Sequence, residues 1–358
     1  MERVRQLMQD AVDEGIFPGG VLLVSNAKDV LIHQAFGHLD STKEKPVTTQ
    51  TIYDLASLTK PLATTLAVIK LVENSQVNLD DRLDRFLDFS TDTDKAGITL
   101  QHLLHHNSGL PDYRPYFKTQ PQAPPPIWRA SLLKWIVKEP LLNRPGKTCC
   151  YSDLGFMLLR GIIESVTGKR LDRYVQTEIY DPLQLHDLCF LPLGKSLDAE
   201  RIAPTEHCPW RGKLIQGQVH DENAHAAGEV DGHAGLFGTA AEIHRLLLEL
   251  LGCYSGQKSQ GLFPQTIIEE FLECKAGIER ALGFDRPAKK NSAAGRFFSE
   301  NSVGHLGFTG TSFWMDLSRS IIVILLTNRV HPSREKDRIR ESRPILHDEI
   351  MTTIFQGD

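Results

Sequence analysis

The 358-residue chain contains no Cys-x-x-Cys pair, no sustained basic block, no Gly-x-Ser-x-Gly elbow and no long unbroken apolar run. Without about 18 consecutive apolar residues no helix spans a membrane. A formal net charge of -5 with no clustered Lys and Arg leaves no electrostatic footprint for nucleic acid or an anionic membrane. The expected partner is therefore a small molecule or a short peptide. Six cysteines (Cys149, Cys150, Cys189, Cys208, Cys253 and Cys274) form no metal spacing, and the chain is too long for a small disulfide scaffold, so free buried thiols are expected. The fourteen histidines are scattered, and the i,i+5 spacing of His220 and His225 does not put both rings on one helix face. No metal is expected. Gly194-Lys195-Ser196 lacks the earlier glycine of a phosphate loop because Cys189 stands there, and no cofactor is expected.

What is present describes an ordinary soluble globular protein, 41% hydrophobic and 24% charged. Val4, Leu7, Met8, Val12 and Ile16 recur at helical spacing among charges, which predicts an amphipathic surface helix, not a signal peptide. A cytoplasmic location is expected. Gly20 to Val24 and Val30 to Phe36 read as a hairpin around the polar turn Ser25 to Asp29. Thr311 to Leu317 and Ile321 to Thr327, rich in β-branched and aromatic residues, read as a second, with a helix carrying Ile345, Leu346, Ile350, Ile354 and Phe355 behind Pro344. Between these ends, helices are expected at Leu62 to Val72, Leu100 to His105, Ser131 to Lys138, Leu154 to Val166, Leu171 to Ile179 and Leu236 to Leu251, with irregular excursions at Pro121 to Pro126 and Pro192 to Gly235. The pattern predicts an α+β fold: one antiparallel sheet built from both termini and flanked by helices, with a large helical insertion. Residues 1–56 and about 270–358 would form the sheet domain and about 57–269 the mostly helical one, with a site between them.

Ser-x-x-Lys occurs five times, at Ser25, Ser57, Ser131, Ser255 and Ser333, so the pattern alone decides nothing. Ser57-Leu58-Thr59-Lys60 differs in context. It follows a strand end or turn at Asp54-Leu55 and opens the apolar helix from Leu62, where Pro61 is tolerable only in the first turn. A lysine there is partly desolvated and near a helix N-terminus, both of which lower its pKa toward that of a general base for the Ser57 hydroxyl. The plain alternative is that Ser57 caps a helix and Lys60 is solvated. Tyr151-Ser152-Asp153 stands at another helix start, and Gly304-His305-Leu306-Gly307-Phe308-Thr309-Gly310-Thr311 leads into the C-terminal hairpin.

In this order the three stretches resemble the serine β-lactamase and penicillin-binding-protein superfamily, whose elements are Ser-x-x-Lys, Tyr-x-Asn or Ser-x-Asn, and Lys-Thr-Gly or His-Thr-Gly. Leu103 to Pro111, Leu154 to Gly168 and Leu326 to Pro332 look like stretches flanking those motifs in the class C and esterase-like branches. The resemblance implies Ser57 as acylated nucleophile, Lys60 as base and Tyr151 as proton shuttle. His305 and Gly307 would line the substrate, and the Ser57 and Phe308 amides would form an oxyanion hole, each donor worth roughly 2.7–4 kcal/mol. Ser57 Oγ, Lys60 Nζ and the Tyr151 hydroxyl should then converge, with His305 lining the same cleft.

Two positions depart from the family. Asp153 replaces the usual Asn with an ionised acceptor that can pair with Lys60 and raise its pKa, and Leu306 removes a hydroxyl that helps hold a substrate carboxylate. Thr309 or Thr311 could stand in for that hydroxyl, and Phe308-Thr309-Gly310 is an alternative register for the third motif, but His305-Leu306-Gly307 is preferred because a cation-capable side chain leads it. The resemblance implies a serine hydrolase, an esterase or a peptidase/amidase on cell-wall-type fragments, ahead of a β-lactamase. The rival is a non-catalytic or acyl-trapping receptor of the same fold.

Overall fold

A computed structural model describes residues 1–87, 93–191, 198–257, 259–273 and 279–355. Cys274, Lys258 of the Ser255 motif and Gly194-Lys195-Ser196 lie outside the described residues. Both predicted hairpins form. Strands Gly19–Ser25 and Val30–Gly37 pair antiparallel, as do Ser312–Asp316 and Ile321–Thr327, and Gly19–Ser25 pairs with Ile321–Thr327 to join the two ends of the chain. Ser302–Leu306 completes the five-stranded antiparallel sheet as an edge strand against Ser312–Asp316.

Side chains alternate across a strand, and both faces of the two central strands are covered. Val21 and Leu23 join the inner core with Ile322, Ile324 and Leu326. Leu22 and Val24 join Val323 and Leu325 in an outer layer, closed by Val4 and Met8 of the helix Glu2–Asp13 and by Leu346, Ile350 and Met351 of the helix Ile339–Phe355. This explains why Gly19–Ser25 and Ile321–Thr327 are buried at every residue and read as apolar runs. The inner core continues into the helices of the insertion, among them Pro125–Lys138, Asp153–Thr167 and Ala240–Ser255.

Several expected boundaries move, each for a local reason. Leu236 to Gly238 is a short strand, pairing with Tyr53–Asp54 and Cys189–Phe190, and the helix starts after it, capped by Thr239, whose side chain accepts from the Glu242 amide. The end of the proline cluster is helical: Pro125 opens the helix Pro125–Lys138, where its missing N–H costs nothing. The C-terminal helix begins at Ile339, so Pro344 lies inside it, not in its first turn. The helix after Ser57 opens with π-helical turns over Lys60–Thr65 before becoming α-helical at Leu66–Glu73. The same widening follows Leu171–Val175, at Gln176–Tyr180.

Candidate active site

Ser57 sits in a 3₁₀ turn, Ala56–Leu58, at the end of the strand Tyr53–Asp54. Ala56 has φ +47°, a left-handed conformation that a residue with a Cβ keeps only when its surroundings impose it. The restraints are visible on every side. Asp54 Oδ1 accepts from the Ala56 amide at 2.8 Å, Leu55 N–H donates to the Leu236 carbonyl at 2.9 Å, and Thr59 Oγ1 donates to the Ala56 carbonyl at 2.6 Å. Thr309 and Thr311 donate their hydroxyls to the carbonyls of Asp54 and Leu55 at 2.7 and 3.1 Å. Ser57 is thus no helix cap. Among the described residues no protein group accepts from its backbone N–H or from that of Phe308.

Lys60 is fully buried, with Nζ 2.9 Å from Ser57 Oγ, 3.4 Å from the His233 carbonyl and 2.7 Å from Asp153 Oδ1. Burial pulls its pKa down, yet the Asp153 carboxylate and the Tyr151 oxygen outweigh burial and hold it above the ordinary lysine value. The expected lowering is therefore corrected: Lys60 is an ammonium at rest, and Asp153 is the cause. Asp153 itself is the first residue of the helix Asp153–Thr167, where Ser152 caps the Gly155 amide and the helix N-terminus favours a carboxylate.

Tyr151 joins the cluster through its ring. The ring centroid lies 4.7 Å from Lys60 Nζ, 4.6 Å from the His106 ring and 5.9 Å from the His305 ring, with the Arg280 guanidinium at 5.1 Å. His106 is buried between Tyr151 and Phe156 and accepts the Ser152 amide on Nδ1 at 2.9 Å, so its proton is on Nε2. Desolvation, with Arg280 and Lys60 nearby, keeps it neutral.

His305 lies on the edge strand beside Tyr151, as expected, but not as the cation anticipated there. Its Nδ1–H donates to the Leu306 carbonyl at 2.8 Å, Nε2 is buried with no hydrogen-bond partner among the described residues, and desolvation and Lys60 drive its pKa far down. The ring offers a lone pair. Leu306 packs against the outer apolar layer of the sheet. Gly307 permits close approach: a Cβ there would run into Thr311 Oγ1 and the Leu55 carbonyl, so any side chain would push the strand off the Ser57 turn. Thr309 and Thr311 are buried and spend their hydroxyls on that same turn, so neither replaces the missing motif hydroxyl, and the Phe308-Thr309-Gly310 register has no free hydroxyl to offer. Phe308 is 47% exposed, with its ring between His220 and the guanidinium of Arg329.

Four contributors escaped sequence reasoning. His106 and Arg280 bear no motif, although the Leu103 to Pro111 flank contains the first. Asp54 and His233 are ordinary polar residues in sequence. In the structure His233 is held by Asp221 at 2.9 Å and faces Asp231 at 3.8 Å, while Asp231 also receives Arg160 at 3.0 Å. Other Ser-x-x-Lys serines are accounted for elsewhere: Ser25 ends a sheet strand and contacts His244 at 2.8 Å, and Ser131 lies within the helix Pro125–Lys138. Glu206, Cys208 and Glu222 gather their donor atoms, but Arg334 bridges the two carboxylates and fills that space with a cation. No disulfide links the described cysteines.

A buried serine–lysine–carboxylate cluster between a helix start and the edge of an antiparallel sheet defines a serine-hydrolase scaffold. The chain belongs to the β-lactamase family, whose signature matches residues 4–344. An Escherichia coli K12 protein provisionally named D-alanyl-D-alanine carboxypeptidase is 34% identical over 92% of this chain and 83% of its own length. The N-acetylmuramyl-L-alanine amidase of Bacillus subtilis is 30% identical over 100% of this chain and 85% of its own. Among solved structures, EstCE1, a hydrolase with promiscuous acyltransferase activity, superposes with TM-score 0.73 at 23% identity, covering 96% of this chain and 98% of its own. The octameric penicillin-binding protein homologue of Pyrococcus abyssi gives 0.72 at 23%, covering 91% and 73%. The protein is a serine hydrolase of this family.

Proposed function

We propose that Ser57 forms an acyl-enzyme on an amide or ester of a small peptide-type substrate, of the kind found in cell-wall fragments, and that water then releases the acyl group. The single observation that carries this reading is Lys60 Nζ held 2.9 Å from Ser57 Oγ and 2.7 Å from Asp153 in a buried pocket. The names of the two curated relatives, a carboxypeptidase and an amidase, favour an amide bond.

In the proposed sequence Ser57 Oγ attacks the carbonyl carbon and passes its proton to the Tyr151 oxygen as the Tyr151 O–H hands its own proton on toward the leaving group. The raised pKa of Lys60 is the reason to move the base role away from it. The carbonyl oxygen gathers negative charge facing the Ser57 and Phe308 amides. The bond to the leaving amine or alcohol breaks as it receives that proton, and Tyr151 keeps the one it took from Ser57. Water repeats the cycle with Ser57 as leaving group. His305 Nε2 supplies an acceptor for a substrate N–H, and the absence of a free motif hydroxyl counts against penicillin turnover. A cytoplasmic setting, with the thiols kept reduced, is part of this reading.

The test is fluorophosphonate labelling and turnover of short-chain esters, D-amino-acid peptides, muropeptides and nitrocefin by the wild type and Ser57→Ala. We expect Ser57-dependent labelling and hydrolysis of a peptide-type amide, with nitrocefin the poorest substrate. Labelling without turnover of anything would point to an acyl-trapping receptor, and no Ser57-dependent labelling would sink the proposal.

A further inference from the structure

We propose that Asp54 is a positioning residue for the nucleophile: its ionised carboxylate holds the Ser57 turn in its strained form, and acylation slows when that carboxylate gains a proton. The proposal rests on Ser57 being the nucleophile.

The geometry singles out this side chain. Asp54 is 2% exposed and lies three residues before Ser57. Oδ1 takes the Ala56 amide at 2.8 Å, and that amide belongs to the residue whose φ of +47° aims Ser57. Oδ2 takes the His220 amide at 2.6 Å, from a segment 166 residues further along the chain. One carboxylate therefore ties the nucleophile turn to the segment 218–221, while its own backbone carbonyl is held by Thr309 of the third motif. Of the anchors on this turn, the others are hydroxyls and backbone groups. Asp54 alone can change its hydrogen-bonding capacity with pH. No cation pairs with it directly among the described residues.

Protonation would convert one acceptor oxygen into a donor aimed at a backbone N–H, so one of the two ties would fail. The groups facing the carboxylate set where this happens. The His220 and Ala56 amides and the His220 ring favour the charged form. Burial disfavours it most, Asp221 adds repulsion, and the balance places the pKa at about 6. Behind His220 stand Glu206, 3.3 Å from its Nε2, and Arg334, which pairs with Glu206.

Because the folded-state value is raised, ionised Asp54 opposes folding as pH rises through about 6, whereas acylation needs it ionised. Stability and rate therefore respond to this group in opposite directions, which unfolding at low pH cannot imitate.

Fluorophosphonate labelling rate and kcat for a hydrolysed ester, measured from pH 5 to 8 with parallel thermal melts, test the proposal in the wild type, Asp54→Asn and His220→Gln. The wild type should lose rate below about pH 6. Asp54→Asn should label at least ~10-fold more slowly at pH 7.5 with KM little changed and should lack the acid limb, the size expected for a displaced reacting group. The wild-type Tm should gain on that of Asp54→Asn as pH falls. His220→Gln keeps the backbone amide but removes a favourable charge, so its limb should move to higher pH, which serves if Asp54→Asn does not fold. A wild-type acid limb unchanged in position in both variants overturns the proposal. If instead even the wild type shows no Ser57-dependent labelling, the nucleophile assignment has failed.

Discussion

Asp153 alters the chemistry of its neighbour more than any other single residue. Where the family pattern has a neutral amide, a carboxylate 2.7 Å from Lys60 Nζ keeps the ammonium charged despite complete burial. Asp153→Asn would leave burial unopposed except by Tyr151, and the pKa of Lys60 would fall. With the base role on Tyr151, the dependence of Ser57 labelling rate on pH should stay in place in that variant. A shift to lower pH would return the base role to Lys60. The presence of Asp153 is plain in the sequence, and so is its capacity to raise Lys60. The outcome of the contest with desolvation was not legible, because it depends on a distance between residues 93 positions apart.

At the scale of elements, the π-helical opening Lys60–Thr65 decides where Lys60 points. Pro61 supplies no N–H, the hydrogen bonding widens, and the Leu62 carbonyl is taken by the Tyr180 hydroxyl at 2.9 Å. Tyr180→Phe should cost about 1–2 kcal/mol by leaving that buried carbonyl without its donor, read from urea unfolding. Hairpins and long amphipathic helices were readable, because period-two and 3.6-residue patterns are local. The strand Leu236–Gly238 was hidden because its apolar residues run directly into the periodicity of Ala240–Ser255. For the candidate site, motif order pointed to Ser57, Lys60, Tyr151 and His305, which the fold gathers in one place. His106, His233 and Asp54 were invisible because their roles are to face another segment, which no spacing encodes.

Across the whole molecule, charges are buried in alternating sign: Arg160, Asp231, His233 and Asp221 run beneath the Lys60 pocket. Burial disfavours a charged His233, but Asp221 and Asp231 outweigh it and raise its pKa to about 10. Its folded value lies above the unfolded one near 6.5, so the stability it contributes is complete below about pH 6.5 and is lost as pH rises through about 10. Urea unfolding over that range should show a downward slope in the wild type that is absent in His233→Gln.

The sheet that seats the site is closed by pairing Gly20 with Thr327 and Ser25 with Ile322, nearly the full chain apart. The loop these contacts close spans most of the chain, and contacts of such separation are costly and slow to form. During synthesis, Ser57 and Lys60 emerge early and His305 and Phe308 near the end. The turn carrying Ser57 is tied by Thr309 and Thr311 only once that late segment is in place, and a chain interrupted before the last hairpin would hold the proposed nucleophile without the Phe308 amide proposed to face its oxyanion. On the proposed mechanism, chemical competence therefore requires the last hairpin to be in place.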